Sequence, residues 1–125
     1  MKIIYQIFSF IPSMSAFLKG HNLFIKRRFE QANLKFEKCM KHPRFQNVLS
    51  FSLYGQSLCA TGRLEEAHKY LIKACESYES DGWEFKDQFE YDIAKSCLSA
   101  LKHTCHNLKL DNGKQYIDKI PIIKK

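Results

Sequence analysis

The sequence repeats itself after 35 residues, and this spacing limits the chain to a small set of folds. Six positions recur with a matching size of side chain, small on small and large apolar on large apolar. The pairs are Gly20 and Gly55, Leu23 and Leu58, Phe29 and Leu64, Ala32 and Ala67, Phe36 and Leu71, and Cys39 and Ala74. A repeat of this length corresponds to one supersecondary unit, which buries its apolar face by stacking on the next copy.

The spacing within each copy predicts two antiparallel α-helices. A glycine in the first helix lets the second helix approach closely, and large residues at steps of four and seven fill the space beyond. In the second copy Gly62 can adopt the left-handed conformation that ends a helix. Glu65 and Glu66 then fall in the first turn of the next helix, where the helix dipole favours them. The sequence therefore predicts an all-α fold of stacked antiparallel helical hairpins.

The second copy resembles the tetratricopeptide repeat family at positions that occur in that family's order and spacing. They are Tyr54, Gly55, Leu58, Gly62, Leu64, Ala67, Leu71 and Ala74. The first copy resembles it at Gly20, Leu23, Phe29, Ala32, Phe36 and Cys39, with Pro43 near the usual end of a repeat. It departs from the family at Lys19 and at Arg27, which stands where the turn glycine belongs. The resemblance covers residues 13–79 and implies a TPR-like superhelix.

The resemblance also implies where a partner binds, because the first helices of family members line a concave groove. The resemblance places the corresponding groove positions of this chain on the first helix of each copy. They are Phe17, His21 and Phe24 in the first copy, Ser52, Gln56 and Cys59 in the second, and Lys95, Lys102 and His106 in the third. The chaperone-binding subset of the family grips a C-terminal carboxylate with Lys and Asn side chains. Phe17 and His21 stand at two of those positions, so that function is not expected here.

A degenerate third copy follows at a longer offset. Residues 112–120 resemble a second helix, with Gly113 in the place of Ala67, which is 113 − 67 = 46 residues away rather than 35. We expect the extra 46 − 35 = 11 residues between positions 77 and 100, and a helix that begins near Asp81 and Glu84. Its apolar stripe comprises Phe85, Phe89, Ile93, Cys97, Leu101, Cys105 and Leu108.

The length of 125 residues predicts one domain. We divide it into an N-terminal amphipathic helix over 1–12 and hairpins over 13–46, 47–80 and 81–125. The N-terminal helix carries an apolar set at helical spacing that should pack on the domain: Ile3, Ile4, Ile7 and Ile11. The stretch has a weak signal-peptide shape and is too short and broken to span a bilayer. Attachment of this helix to a membrane surface is the less favoured alternative, so a membrane is not the expected partner.

The five cysteines are odd in number and contain no CxxC pair. A secreted disulfide scaffold usually has an even count, so reduced thiols in the cytoplasm are the better interpretation. Most of the cysteines fall at helix positions that need a small apolar side chain, and we expect them to be buried there.

Charge is segregated along the chain, although the net charge is +7. Residues 19–44 carry eight Lys or Arg against two Glu, whereas residues 76–92 carry seven Asp or Glu against one Lys. The acidic segment is also aromatic, and it coincides with the extra residues of the third copy. Phe85 and Phe89 belong to the core stripe, but Trp83 lies off it and could anchor an interface. Such a segment would suit docking onto a basic surface.

The basic segment 19–44 has two interpretations, a solvated helix surface or a binding site for nucleic acid or another anionic surface. No aromatic residues interleave with its charges in a nucleic-acid-binding pattern, so nucleic acid is not the expected partner.

Residue patterns typical of catalysis are absent from the sequence. Its glycines are isolated, so no phosphate-binding loop is present, and no HExxH or nucleophile elbow occurs. His103, Cys105 and His106 are close in sequence but point in different directions around a helix. No enzymatic activity, metal or cofactor is therefore predicted.

The sequence thus predicts a stand-alone TPR-like module that binds a dedicated protein partner. A toxin-neutralising immunity protein is the most concrete form, and a secretion chaperone or an adaptor is the alternative. Binding of nucleic acid or an anionic surface through residues 19–44 is a further alternative. The residues expected to contact the partner are Glu79, Asp81, Trp83, Glu84 and Asp87 in the acidic segment, and Phe17, His21, Phe24, Gln56 and Lys102 in the groove.

Overall fold

The computed structural model describes residues 2–124, and side chains from residue 10 onward. In this part of the chain five α-helices pack on one another, which confirms the predicted all-α class. The helices are α1 (Lys2–Ile25), α2 (Phe29–Cys39), α3 (Val48–Ala60), α4 (Leu64–Ser80) and α5 (Gln88–Leu108). A 3₁₀ turn, Pro43–Phe45, joins α2 to α3, and two strands, β1 (Glu84–Phe85) and β2 (Ile122–Ile123), pair in parallel.

The turns of the first two hairpins have the same backbone conformation. Arg27 and Gly62 are both left-handed, with φ of 62° and 80°. The next amide in each turn donates to a carbonyl five residues earlier, Arg28 to Leu23 at 2.9 Å and Arg63 to Leu58 at 3.0 Å. The prediction for Gly62 is confirmed, and Arg27 adopts the same conformation although it carries a side chain.

The glycines of the first helices permit the close helix contacts that the repeat predicted. A Cβ atom built on Gly55 would lie 2.9 Å from Leu71 Cγ, and one built on Gly20 would lie 3.0 Å from the Phe36 ring. Both large side chains are fully buried. The same contact therefore holds α1 to α2 and α3 to α4.

The core runs along the contacts of α3 with α2, α4 and α5. Its largest fully buried apolar side chains are Phe36, Leu53, Leu58, Leu71 and Leu101. Four of the cysteines are buried, as expected, and Cys59 is half-buried. No helix within residues 2–124 is long and apolar enough to cross a membrane.

The predicted boundary at residue 12 is not present, because α1 continues through Pro12 to Ile25. Phe10 and Phe17 lie on either side of the proline, and both stack on Phe45 with ring centroids 5.7 Å apart. This shared contact holds the two halves of α1 together. The expectation that Ile11 packs on the domain is wrong, since its side chain is 65% exposed. The side chains of Ile3, Ile4 and Ile7 lie outside the described residues.

The third hairpin differs from the prediction at both of its helices. The first helix, α5, begins at Gln88 with Asp87 as its N-cap, not near Asp81 and Glu84. The second helix expected over 112–120 does not form, and residues 112–118 make turns instead. A left-handed Lys109 ends α5 and redirects the chain.

The segment that replaces this helix, residues 109–124, lies across α4 and α5. The buried His68 ring holds it, since Nε2 donates to the carbonyl of Asn112 at 2.8 Å while Nδ1 lies 2.8 Å from Thr104 Oγ1. Gly113 lies close enough to Leu101 that an added Cβ would be 3.2 Å from its side chain. Farther along, β2 pairs with β1. Irregular backbone therefore covers the end of the stack, where the repeat predicted a helix.

Candidate functional site

A pocket of about 430 Å³ lies where the N-termini of α3 and α5 meet the 81–87 connection. We call it the acidic pocket. Its apolar lining comprises Val48, Leu49, Phe85, Phe89 and Ile93. Its carboxylates are Asp81, Glu84, Asp87 and Glu90, and the only basic residue in its lining is Lys86. The acidic pocket therefore combines an apolar floor with a strongly negative rim.

Local structure fixes the positions of these carboxylates. Asp87 caps α5, with Oδ1 accepting the Glu90 amide at 2.8 Å, so its second oxygen is available to other donors. Glu84 lies on β1 and pairs with Lys124 Nζ at 3.4 Å, where both side chains are largely exposed. An exposed pair of this kind contributes little to stability, so a partner's cation could exchange with Lys124. Asp81 is exposed at the end of α4.

Phe89 joins the acidic pocket to the neighbouring helix surface. Its ring is 50% exposed, and it meets the His21 ring of α1 edge-on at a centroid distance of 5.8 Å. The assignment of Phe89 to the buried core stripe is therefore wrong. Helix α5 begins at Gln88, so Phe89 occupies its first turn and points to the rim of the acidic pocket.

A depression of about 470 Å³ lies between α1, α3 and α5, and we call it the groove because three of the predicted groove positions, Phe24, Gln56 and Cys59, line it. It is lined by Phe24, Ile25, Arg27, Phe29, Gln56, Cys59, Ala60, Ser96 and Ala100. Gln56 Nε2 donates to the carbonyl of Ile93 at 3.3 Å, and Ile93 also lines the acidic pocket. The groove and the acidic pocket are therefore neighbouring parts of one surface, acidic at one end and with Arg27 at the other.

Two residues of the predicted acidic site lie elsewhere. Trp83 is 4% exposed and packs between Tyr78 and Tyr116, so its assignment as an exposed interface anchor is wrong. Its indole Nε1 donates to Glu79, which also pairs with Lys119 at 3.2 Å. These hydrogen bonds, first from Trp83 and then from Lys119, hold the pKa of the Glu79 carboxyl below its usual value. Glu79 thus anchors the C-terminal segment and does not line the acidic pocket.

Several predicted groove residues also differ from expectation. Ser52 is fully buried, and its hydroxyl is hydrogen-bonded to that of Tyr78 at 2.7 Å. Phe17 is half-buried against Phe36 and Phe45, so it contributes mainly to the core. Lys102 lies on the other side of α5, in a separate depression with His106 and Lys114. That depression lies between α5 and the irregular segment 109–124.

Eight of the eleven residues that line the acidic pocket were not among the predicted contact residues, and four of these eight lie at the starts of helices. Val48 and Leu49 come from the start of α3, and Phe89 and Glu90 from the start of α5. The available signal was Asp87 followed three residues later by Glu90, a spacing typical of a helix N-terminus. It would have placed the start of α5 correctly and left Phe89 off the core stripe.

His103 and Cys105 are close in sequence but have different neighbours in the structure. Within residues 10–124 no three His, Cys, Asp or Glu side chains converge in a way that could hold a metal ion. His103 contacts Asn107, whereas Cys105 points to the carbonyl of Asn112. Burial raises the pKa of the Cys39 thiol to about 12 and raises the pKa values of Cys59 and Cys105 as well. These thiols are therefore protonated at neutral pH and react slowly as nucleophiles.

Comparison with protein-family models, with curated proteins and with solved structures found no match to this chain. The acidic pocket and the groove beside it are therefore interpreted from their own chemistry.

Proposed function

We propose that this chain is a protein-binding module that takes a basic, partly apolar segment of a partner protein into the acidic pocket. The observation that supports this most strongly is the arrangement of four carboxylates around an apolar floor. Lys and Arg side chains need both features, because their aliphatic stems pack on apolar surface while their charged ends seek carboxylates. A volume of about 430 Å³ is in the range that binds one or two such side chains.

The groove would extend the interface beyond the acidic pocket. A specific protein interface covers about 800 Å² on each partner, which one small pocket does not supply. The exposed part of Phe89 and the half-buried rings of His21 and Phe24 continue an apolar surface toward Arg27. A segment that follows this path would place its cations near Glu90 and its carboxylates near Arg27.

The resemblance to the tetratricopeptide repeat family supports the same proposal, because family members bind segments along their first helices. A toxin with a basic active surface, such as a nuclease, has the chemistry that the acidic pocket requires. Neutralisation of a toxin is therefore one form of the proposed function, and a secretion chaperone or an adaptor is another. We propose no enzymatic activity for the chain.

Photo-crosslinking from the acidic pocket in the native cell tests the proposal. A photoreactive phenylalanine analogue replaces Phe89, and the same analogue at Leu34 serves as the control, because Leu34 is 67% exposed on α2. We expect position 89 to capture a defined protein through a segment rich in Lys or Arg. Equal capture from position 34, or capture through an acidic segment, would contradict the proposal.

Charge reversal separates the acidic pocket from general electrostatic attraction. Glu90→Lys changes the rim, and Glu65→Lys makes the same change in net charge in the first turn of α4. Since both side chains are exposed, each substitution changes helix stability by similar, small amounts. We expect Glu90→Lys to weaken binding of the captured partner at least roughly tenfold and Glu65→Lys to leave it nearly unchanged.

A further inference from the structure

Helix α1 presents an apolar stripe that no described residue covers. Ile11, Leu18 and Ile25 are 65%, 58% and 65% exposed, and Met14 is 36% exposed. Spacings of three, four and seven residues place these side chains on one face of the helix. From Ile11 to Ile25 the stripe extends about 21 Å along the helix axis.

The opposite face of α1 is the one that packs on the domain. Ser13, Ala16 and Gly20 are buried there, close to α2. Among the described elements α1 contacts mainly α2, and none of the described hairpins covers its exposed face. In the sequence, Ile7 and Ile4 precede Ile11 by four and seven residues, so the apolar spacing continues upstream.

The charge around the stripe is entirely positive. Lys19 and Lys26 each follow a residue of the stripe by one position, which places both along one edge of it. Arg27 and Arg28 lie at the end of the helix, and all four cations are exposed. None of the ion pairs among the described side chains involves them. The first Asp or Glu of the chain is Glu30, so residues 1–29 carry no carboxylate side chain.

We propose that α1 docks in the plane of an anionic lipid bilayer, with the stripe facing the acyl chains and the four cations facing the headgroups. An exposed apolar face with a basic edge is the pattern that binds helices to anionic membrane surfaces. The exposed face of a single helix also suits a flat surface, which requires no shape complementarity. Ile11, Met14 and Leu18 lie outside both the acidic pocket and the groove, whereas Ile25 and Arg27 also line the groove. The inference does not depend on the proposed function, because binding to vesicles requires no partner protein.

A second copy of the chain is a poorer occupant of the stripe. Two α1 helices that met through their stripes would bring Lys19 and Lys26 of each copy to the same interface. Neither helix has a carboxylate to pair with these cations, so the contact would be electrostatically repulsive. An anionic bilayer supplies the opposite charge.

Vesicle co-sedimentation of the full chain tests this inference. The probes are extruded vesicles of phosphatidylcholine, either pure or with roughly one-third phosphatidylglycerol. We expect the partition coefficient to be at least roughly tenfold higher on the anionic vesicles and to fall as salt rises from about 0.05 M to about 0.5 M.

Paired variants assign the binding to the stripe and its edge. We expect Leu18→Asn with Ile25→Asn to lower the partition coefficient at least roughly tenfold, because both side chains lose apolar contact with the bilayer. Leu34→Asn is the control on α2, and it should change little. Lys19→Gln with Lys26→Gln should lower binding by a similar factor, whereas Lys102→Gln with Lys109→Gln should not.

Far-UV circular dichroism of each variant checks that the fold is kept, which is expected because all the substituted side chains are exposed. Equal partitioning onto neutral and anionic vesicles would overturn the inference. Equal effects of the α1 variants and their controls would also overturn it. A dimer in sedimentation velocity that Leu18→Asn with Ile25→Asn disrupts, without any vesicle binding, would assign the stripe to a second copy instead.

Discussion

Substitution of Gly55 by alanine tests the helix contact on which the repeat depends. The added Cβ would lie 2.9 Å from Leu71 Cγ and 3.2 Å from the Leu71 backbone nitrogen. The leucine is fully buried and the backbone cannot rotate away, so α3 and α4 must separate slightly. Overpacking of this kind costs about 1–3 kcal/mol, and the better helix propensity of alanine returns about 1 kcal/mol. We expect a net loss of up to about 2 kcal/mol in the free energy of unfolding.

The equivalent substitution in the first copy should have a smaller effect. At Gly20 the added Cβ would lie 3.0 Å from two atoms of the Phe36 ring and 3.2 Å from Lys35 Cβ. These are side-chain atoms, and a ring can shift by a few tenths of an ångström more easily than a backbone. We expect the gain in helix propensity to offset the contact, so that Gly20→Ala changes stability by less than about 1 kcal/mol.

Urea denaturation followed by far-UV circular dichroism measures both changes, provided that unfolding is two-state. A double-mutant cycle with Leu71→Ala tests whether this contact is the cause, because removal of the leucine side chain should lessen the loss of stability from Gly55→Ala. The reasoning would be refuted if Gly55→Ala stabilised the protein, or if it destabilised it less than Gly20→Ala.

Three further predictions concern the turns, the C-terminal segment and the thiols. Arg27→Gly should raise the free energy of unfolding by about 0.5–1 kcal/mol in urea denaturation, because glycine adopts φ near 62° without strain. Gly62→Ala should lower it by about 1 kcal/mol, because alanine is strained in the left-handed conformation. His68→Leu removes both ring contacts, and limited proteolysis with mass spectrometry should then cleave residues 109–124 faster. Alkylation of the native protein at about pH 8 should modify Cys59 first, because the other four thiols are buried and the reagent cannot reach them.

Each of these predictions has an outcome that would contradict it. A loss of stability in Arg27→Gly would mean that the side chain of Arg27 contributes more than its backbone strain costs. Unchanged cleavage of residues 109–124 in His68→Leu would show that the other contacts of the segment, which include the Lys119–Glu79 pair and the β1–β2 pairing, are enough to hold it. Rapid alkylation of all five thiols before denaturation would contradict the burial of the core cysteines.

The regular part of the fold was predictable because its signals are local. The spacing of Gly20 and Gly55 predicted the close helix contacts, and Gly62 predicted the end of α3. The turn at Arg27 adopts the same left-handed conformation as the turn at Gly62, because the hydrogen bonds and the packing of both helices fix the backbone there. Tertiary structure overrides the weak preference of a single side chain in such a case.

The irregular third copy was not predictable, because distant contacts decide its structure. Residues 112–120 have a helix-like apolar spacing, but the bond from His68 to the Asn112 carbonyl and the pairing of β2 with β1 hold them in turns. The burial of Trp83 depends on Tyr116, which is 116 − 83 = 33 residues away in sequence. The sequence therefore identified the acidic segment correctly as a distinctive region, but not which of its side chains face solvent.

The most direct measurement for the proposed function is a nuclear magnetic resonance titration with assigned backbone amides. The probe is a short synthetic peptide in which arginines alternate with leucines, and the control peptide replaces each arginine with glutamate. We expect the basic peptide to shift amide resonances of residues 81–90 together with those of Val48 and Leu49, and Glu90→Lys to abolish these shifts. Absent shifts, shifts confined to other surfaces, or equal shifts with the acidic peptide would contradict the acidic pocket as the binding site.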